Sequence, residues 1–268
     1  MGNPIIEINA HKIIDSTNKA LPETMSAIDH ALSSVLNIVG YPGNYIGEYA
    51  KYSIQKLHSN LTEKLLEVPP NKIIAPPVHI AAPILEKSRF TADSEHLHAL
   101  FANLLATSMT EDLQSLAHPS FVEIISQLSP EEAKILFNFP PLLPMCVIRL
   151  QNHGDSNNKH PLGEEFELSA EGVDLIQHII LYDDMIPHTE QDFRKIASIT
   201  ENFERLGLIK LPDDGSYFTN AEHYSHILSV LKPFVQTLLC PPNKMVAIVP
   251  QRAQITDFGN RFLKACVL

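Results

Sequence analysis

The sequence predicts a mainly α-helical protein of the α+β class, with a helical N-terminal domain (residues 1–128) and a winged-helix-like C-terminal domain (residues 129–268). Two observations lead to this division. Apolar residues recur at spacings of three and four through most of the first half. In the second half, Glu201–Ile209 has the pattern of a helix that runs into a strand, and Gln254–Leu263 that of a strand that runs into a helix.

The N-terminal domain is predicted to begin with an antiparallel pair of helices. The first follows the apolar stripe of Met25–Val39, Gly40–Gly43 forms the turn, and the second covers Asn44–Glu67. A proline-rich connector, Val68–Pro83, comes next. Because it is rich in apolar residues, we expect it to lie against the helices and not to be a free linker.

Three more helices are predicted before residue 138. The third helix is capped by Asp93 or Ser94, and the fourth begins at His118-Pro119, since proline is favoured in a first helical turn. Ser129-Pro-Glu-Glu132 matches a capping box and opens the fifth helix. No Lys or Arg occurs from residue 94 to residue 128, which indicates a largely buried centre.

The C-terminal domain is predicted to start with a strand at Met145–Leu150, followed by a polar surface loop over residues 152–161. Leu168–Leu181 is interpreted as an amphipathic helix or an ordered segment that packs onto the last module. All three cysteines, Cys146, Cys240 and Cys266, have apolar neighbours. They are predicted to be buried, reduced thiols of a cytosolic protein.

The winged-helix prediction depends on a fixed order of elements. A helix over Asp192–Leu206 ends at Gly207, a residue that adopts the left-handed conformation at low cost. A strand over Leu208–Leu211, a hairpin and a second strand near Met245–Ile248 and Ile255 follow. Thr256 is then predicted to cap the closing helix.

The charge of the chain argues against a nucleic-acid interface. The net charge is −11, and from residue 129 onward 12 Lys and Arg face 18 Asp and Glu. The predicted recognition helix, residues 192–206, contains three basic and three acidic residues and is neutral. Binding to nucleic acid requires a basic face, so we expect protein contacts instead and keep a winged-helix nucleic-acid-binding regulator as the alternative.

No sequence pattern points to catalysis, a metal or a cofactor. The chain lacks H-E-x-x-H, C-x-x-C, G-x-S-x-G and a phosphate-binding glycine loop. The adjacent carboxylates Glu164-Glu165 and Asp183-Asp184 are interpreted as solvated acids. We therefore expect a non-enzymatic protein without a cofactor. No apolar run is long enough to span a bilayer.

Several segments resemble the abortive-infection alpha (Abi-alpha) family. The resemblance is carried by Phe101–Met109, His118–Lys134 and Val78–Leu85, and it extends to Glu201–Ile209 and Thr256–Cys266. The motif residues, which capping and core spacing also explain, are Phe101, Asn103, His118, Pro119, Ser120, Phe121, Glu123, Ser129, Leu206, Gly207, Thr256, Phe258, Gly259 and Phe262.

This resemblance implies a role in bacterial phage defence, in which an infected cell stops growing or dies before phage are released. It implies no catalytic residues. The expected protein is a cytoplasmic sensor or effector that acts on a protein partner or by self-association. From the residues alone, Asn103 is expected to bind a neighbouring backbone, and His118 or Ser120 to satisfy free N–H groups at a helix start.

Overall fold

A computed structural model describes residues 22–31, 33, 48–152, 160–163, 166, 172–182, 185–211 and 215–267. It has helices and one antiparallel sheet, which confirms a mixed α+β protein. The contacts between residues group the chain into two units. Unit 1 is Met1–Phe137 with Arg261–Leu268, and unit 2 is Asn138–Asn260. The predicted domain boundary after residue 128 stays a prediction.

Unit 1 is built around one buried helix. Its helices are α1 (22–31), α2 (Glu48–Leu65), α3 (Val78–Ser88), α4 (Glu95–Met109), α5 (Pro119–Ser126) and α6 (Pro130–Phe137). Twelve of the fifteen residues of α4 are buried, and α2, α3, α5 and α6 all contact it. The segment without basic residues therefore supplies the centre of the unit, as predicted. The predicted turn at Gly40–Gly43 lies outside the described residues.

The helix starts of unit 1 follow their sequence signals. Ser94 accepts a hydrogen bond from the Leu97 amide at the start of α4. At the start of α6, the Glu132 amide donates to Ser129 Oγ at 3.2 Å, and the Ser129 amide donates to Glu132 Oε2 at 2.7 Å. Both halves of the predicted capping box are present, so local sequence alone determines where α6 begins.

The proline-rich connector departs from its prediction in its second half. Residues 78–83 belong to α3, which contains Pro83 in its second turn. Proline there removes one helical hydrogen bond, but the helix buries Ile80, Ala81, Ile84 and Leu85, and this burial stabilises it. The first half does lie against the helices, because the Ile74 amide donates to the Met109 carbonyl.

Unit 2 contains a four-stranded antiparallel sheet with the order β2-β1-β4-β3. The strands are β1 (Leu143–Asn152), β2 (Val173–Ile179), β3 (Ile209–Lys210) and β4 (Lys244–Ile255). β1 pairs with β4 along its whole length and with β2 on its other edge. The helices of unit 2 are α7 (Glu190–Arg205) and α8 (Ser225–Thr237), and α9 (Asp257–Cys266) begins in unit 2 and ends in unit 1.

Of the two alternatives predicted for 168–181, the amphipathic helix is wrong over β2, which is a strand and so an ordered segment. Its buried residues Ile176 and Ile179 are three apart, a spacing that imitates a helix. Ile179 pairs with Cys146 and Ile176 with Ile148, so three steps on β2 oppose two on β1. This β-bulge contains His178, whose φ is +55°. The bulge places both isoleucines on the core side of the sheet. In a regular strand, residues three apart would lie on opposite faces.

The segment between β3 and β4 also differs from the predicted hairpin. Helix α8 lies between these strands, and β3 pairs only with Gln254 and Ile255 of β4. Helix α7 begins at Glu190, two residues before the predicted Asp192, because Thr189 and Asp192 form a capping box there. Its end agrees with the prediction, since Gly207 has a φ of +75°. The winged-helix likeness stays a prediction.

The cysteines divide into two classes. Cys146 and Cys266 are fully buried, as predicted, and burial raises the pKa of both thiols. Cys240 is exposed, so its predicted burial is wrong. It lies in the loop between α8 and β4, directly before Pro241-Pro242.

Candidate functional site

Two polar residues of α4 hold the end of the last helix. Asn103 Nδ2 donates to the Cys266 carbonyl at 2.8 Å, and Thr107 Oγ1 donates to the Ala265 carbonyl at 2.8 Å. Asn103 and Thr107 are four residues apart and so lie on one face of α4. The last carbonyls of a helix lack intrahelical partners, and these two side chains supply them inside the core. The expectation that Asn103 binds a neighbouring backbone is thus realised.

Arg261 makes a second connection within unit 1. Its guanidinium donates to three consecutive carbonyls, those of Ser115, Leu116 and Ala117, at 2.6, 3.0 and 3.3 Å. The planar, forked donor set of arginine suits such convergent acceptors. These contacts join the C-terminal segment to the chain just ahead of α5.

The His118-Pro119-Ser120-Phe121 block forms the entry to α5. His118 Nδ1 accepts the Ser120 amide at 3.1 Å and caps the helix, and Pro119 occupies its first turn. Of the two caps considered, the structure uses His118. Phe121 is fully buried and meets the buried Phe262 edge-on, with ring centroids 5.3 Å apart. His118 and Pro119 thus form the helix entry, and Phe121 packs in the core.

The other unit 1 motif residues have simple surroundings. Phe101 is fully buried in the core of α4. Glu123 is exposed on α5, and its Oε2 is 3.9 Å from Lys87 Nζ. An exposed pair at this distance contributes little to stability.

The unit 2 motif residues form a separate cluster at the end of α7. Thr256 Oγ1 donates to the Gly207 carbonyl at 2.6 Å and accepts the Gly259 amide at 2.8 Å. The Thr256 amide donates to the Leu208 carbonyl at 3.0 Å. A Cβ added to Gly259 would stand only 2.0 Å from that Leu208 oxygen. Glycine at 259 thus lets the first turn of α9 approach the backbone of residue 208.

Leu206 and Phe258 flank this cluster. Leu206 is buried, and a Cβ at Gly207 would lie 3.7 Å from the Phe258 ring, which is ordinary contact. The glycine at 207 is therefore required by its positive φ and not by lack of space.

The sequence reasoning missed one buried histidine of unit 1, together with its polar partners. His98 is fully buried, with Nε2 3.0 Å from the Ser53 carbonyl and Nδ1 3.4 Å from Asn60 Nδ2. Ser53 Oγ donates to the Ser88 carbonyl. Burial lowers the pKa of His98, assisted by Lys56 and opposed by the hydrogen bond to Ser53. The signal was present in the sequence: His98 falls on the apolar stripe of α4.

The remaining polar candidates do not assemble into a metal site. His96 lies beside Phe137, with the ring centroids 5.4 Å apart and the ring planes tilted by 59°, and His223 and His226 are both exposed. Among the described residues, no three His, Cys, Asp or Glu side chains are arranged to hold a metal ion. Residues 164–165 and 183–184 lie outside that set.

Open pockets on the described part of unit 2 include the following two. One, of about 350 Å³, lies between residues 186–188 and α8, and its walls include Val230, Pro233 and Phe234. The other, of about 360 Å³, has Arg252 on its wall, with the guanidinium carbon 5.8 Å from the centroid of the Phe218 ring. In neither of them do the motif residues form a polar cluster. None of the described helices is long and apolar enough to cross a bilayer.

A comparison with known families assigns the chain. The model of the family "abortive infection alpha" matches residues 50–266, which is most of the sequence, so the chain belongs to that family. The resemblance seen in the motif residues is confirmed. No curated protein and no solved structure shows a significant match.

Proposed function

We propose that this member of the abortive infection alpha family is a cytoplasmic, non-enzymatic sensor or effector of phage defence that acts through protein contacts. Family membership supports the defence role. The absence of an enzyme mechanism is a proposal supported by how the motif uses its polar groups. Asn103, Thr107 and Arg261 all donate to backbone carbonyls, and His118 and Thr256 cap helices.

This use of polar groups carries the proposal. A catalytic motif aims its polar side chains at a shared point in a cavity, where they meet the substrate. Here the same side chains form intramolecular hydrogen bonds that hold chain segments together, and among their atoms the buried Asn103 Oδ1 has no hydrogen-bond partner in the described part of the chain. Their role is to maintain the shape of the protein surface, and a protein partner recognises that surface.

The defence role is tested by a phage challenge of bacteria with and without the gene. Plaque formation and culture survival are scored at low and high phage dose. We expect protection at low dose and culture collapse at high dose, because abortive infection sacrifices infected cells. Equal plaque numbers with and without the gene, across a broad phage panel, would contradict the role.

The non-enzymatic mechanism is tested with a matched pair at position 256. Thr256→Ser keeps the hydroxyl that caps α9, and Thr256→Ala removes it. We expect protection against phage to follow the stability of the fold. Thr256→Ser should protect like the wild type. Thr256→Ala should lose about 1 kcal/mol of unfolding free energy and protect less. The contrary outcome is a substitution of a buried motif residue, such as Asn103, that leaves the protein fully folded but abolishes protection. That result would argue for chemistry at the substituted residue.

A winged-helix nucleic-acid-binding regulator is the alternative. The order α7, β3, β4 and α9 supports the winged-helix likeness, although α8 interrupts it. The charges of α7 oppose nucleic-acid binding. Arg194 Nη2 is paired with Glu190 Oε1 at 2.6 Å, and the helix contains four acidic and three basic residues. Tight, salt-dependent binding in a mobility-shift titration would reverse this preference.

A further inference from the structure

One pocket of unit 2 brings together segments that are distant in the sequence. It is lined by residues 141–143 at the start of β1, Phe218 in the loop before α8, residues 252–255 of β4 and Asn260 of α9. We call it the Arg252 pocket. Its volume of about 360 Å³ lies within the range of about 300–1,000 Å³ that is typical of small-molecule sites.

Hydrogen bonds hold the walls of this pocket in place. The Phe218 amide donates to Tyr224 Oη at 2.9 Å, and the Tyr224 hydroxyl donates to the Gln251 carbonyl at 2.8 Å. Because Tyr224 is fully buried, this connection fixes Phe218 beside β4. Paired strands support the opposite side, where Leu143 of β1 faces Ala253 of β4. The recess therefore exists before a ligand binds, and little ordering entropy is lost on binding.

The guanidinium of Arg252 is held in position but keeps unused donors. Its carbon lies 5.8 Å from the centroid of the Phe218 ring, which is a cation–π contact, and its Nε is 3.4 Å from Ser216 Oγ. Within the described residues, its two terminal nitrogens have neither a hydrogen-bond acceptor nor a carboxylate partner. Such an arginine is unexpected in a chain with 31 Asp and Glu against 20 Lys and Arg.

Two side-chain amides line the pocket together with Arg252. The side chains of Gln254 and Asn260 form no hydrogen bond with any other described residue, and both residues are exposed. The motif residues differ, because Asn103 and Thr256 donate to carbonyls of the chain itself. Polar side chains that line one recess and keep their donors unused are the arrangement that a ligand-binding site requires.

The charge and polarity of the lining residues indicate the class of ligand. Arg252 is the only charged residue among the described ones that line the pocket, and most of the others are apolar. One guanidinium binds one carboxylate through two parallel hydrogen bonds. A phosphate group, which carries a charge of about −1.5 to −2, is ordinarily held by further cations or by a nest of backbone amides. The pocket therefore fits a singly charged carboxylate with an apolar body.

We propose that the Arg252 pocket is a binding site for a small organic carboxylate. The Arg252 guanidinium binds the carboxylate group, the amides of Gln254 and Asn260 donate to its oxygens, and Leu142 and Phe218 cover the apolar body. This inference goes beyond the proposed function and does not depend on it. Binding is measured on the purified full chain without phage, so a failure of the site and a failure of the defence role are seen in separate experiments.

The test is saturation-transfer difference NMR with two carboxylates that have an apolar body, phenylacetate and 3-methylbutanoate, each titrated to about 10 mM. Phenylacetamide is the neutral isostere of the first probe, and acetate and inorganic phosphate are added as competitors. We expect phenylacetate to bind with a dissociation constant of about 1 mM or lower. Phenylacetamide, acetate and phosphate should each bind at least about tenfold more weakly, because each lacks either the single charge or the apolar body. The net charge of −11 disfavours non-specific anion binding elsewhere on the chain.

Three variants locate the binding. Arg252→Gln removes the charge and keeps a polar side chain. Arg194→Gln is the matched control, because Arg194 belongs to α7, pairs with Glu190 and does not line the pocket. Leu142→Asp adds a negative charge at the rim, where Leu142 is 44% exposed, so the fold should be kept. We expect Arg252→Gln and Leu142→Asp to weaken phenylacetate binding at least about tenfold and Arg194→Gln to leave it unchanged.

Four results would overturn the proposal. They are a wild type that binds neither carboxylate probe, equal binding of phenylacetamide or phosphate and phenylacetate, an equal loss in Arg194→Gln, and undiminished binding by Arg252→Gln. Thermal denaturation checks that each variant is folded. If Arg252→Gln does not fold, Leu142→Asp decides the matter, and undiminished phenylacetate binding by that variant would place the binding site elsewhere.

Discussion

Gly259 provides a test in which two physical effects have opposite signs. It lies in the first turn of α9, where alanine is ordinarily preferred to glycine by about 1 kcal/mol. In this protein, however, a Cβ at 259 would stand 2.0 Å from the Leu208 oxygen, 2.8 Å from its carbonyl carbon and 3.0 Å from its Cα. All three atoms are backbone, so no side-chain rotation relieves the overlap.

The structure indicates which effect dominates. Ordinary contact begins near 3.4 Å, so Gly259→Ala forces the 207–208 turn and α9 apart by about 1 Å. Thr256 bonds both carbonyls of that turn, at 2.6 and 3.0 Å. Losing these bonds costs about 1 kcal/mol each, and overpacking adds about 1–3 kcal/mol. After the propensity gain, we expect a net destabilisation of about 2–4 kcal/mol.

The free energy of unfolding is measured by urea denaturation followed by far-UV circular dichroism. The melting temperature of Gly259→Ala should fall by at least about 4 °C. Asn260→Ala is the control, since Asn260 is the exposed neighbour in the same helical turn and alanine there should be neutral or slightly stabilising. A Gly259→Ala variant as stable as the wild type would show that the close approach to residue 208 is not required.

Three further predictions concern buried groups. Asn103→Asp should destabilise unit 1 by about 3 kcal/mol in urea denaturation, because a carboxylate cannot donate to the Cys266 carbonyl; unchanged stability would refute this role. Burial lowers the pKa of His98, so the folded state favours the neutral ring. The free energy of unfolding should therefore be highest above the usual histidine pKa and decline as the pH falls through the lowered one, and His98→Gln should flatten this decline. In the native protein Cys240 alone should react with a thiol reagent, whereas Cys146 and Cys266 should react only in denaturant; rapid native labelling of either would contradict their burial.

Local signals were reliable where the structure uses local chemistry. The capping box at Ser129 and Glu132, the cap at Thr256 and the left-handed Gly207 all involve residues within a few positions of one another. Such interactions are formed by short stretches of chain, so the residue types and their spacing are sufficient to predict them. The long run without basic residues likewise predicted the buried α4.

Errors arose where distant segments decide the local structure. Ile176 and Ile179 have a helical spacing, but β1 offers a long hydrogen-bonding edge, and the bulge at His178 converts that spacing into one face of a strand. The same limit hid α3, because Pro83 argues against a helix until the burial of its apolar face is known.

The sequence by itself therefore determined most helices of the first half, although not α3, together with several caps, the α+β class of the fold and the family-like motif residues. Only the tertiary structure decided what those residues do. Asn103 and Cys266 are 163 positions apart, and Thr256 and Gly207 are 49 apart. A buried donor forms its hydrogen bond with the carbonyl that the packing of distant segments brings within about 3 Å. A single sequence does not show which segments pack together, so it cannot identify that carbonyl.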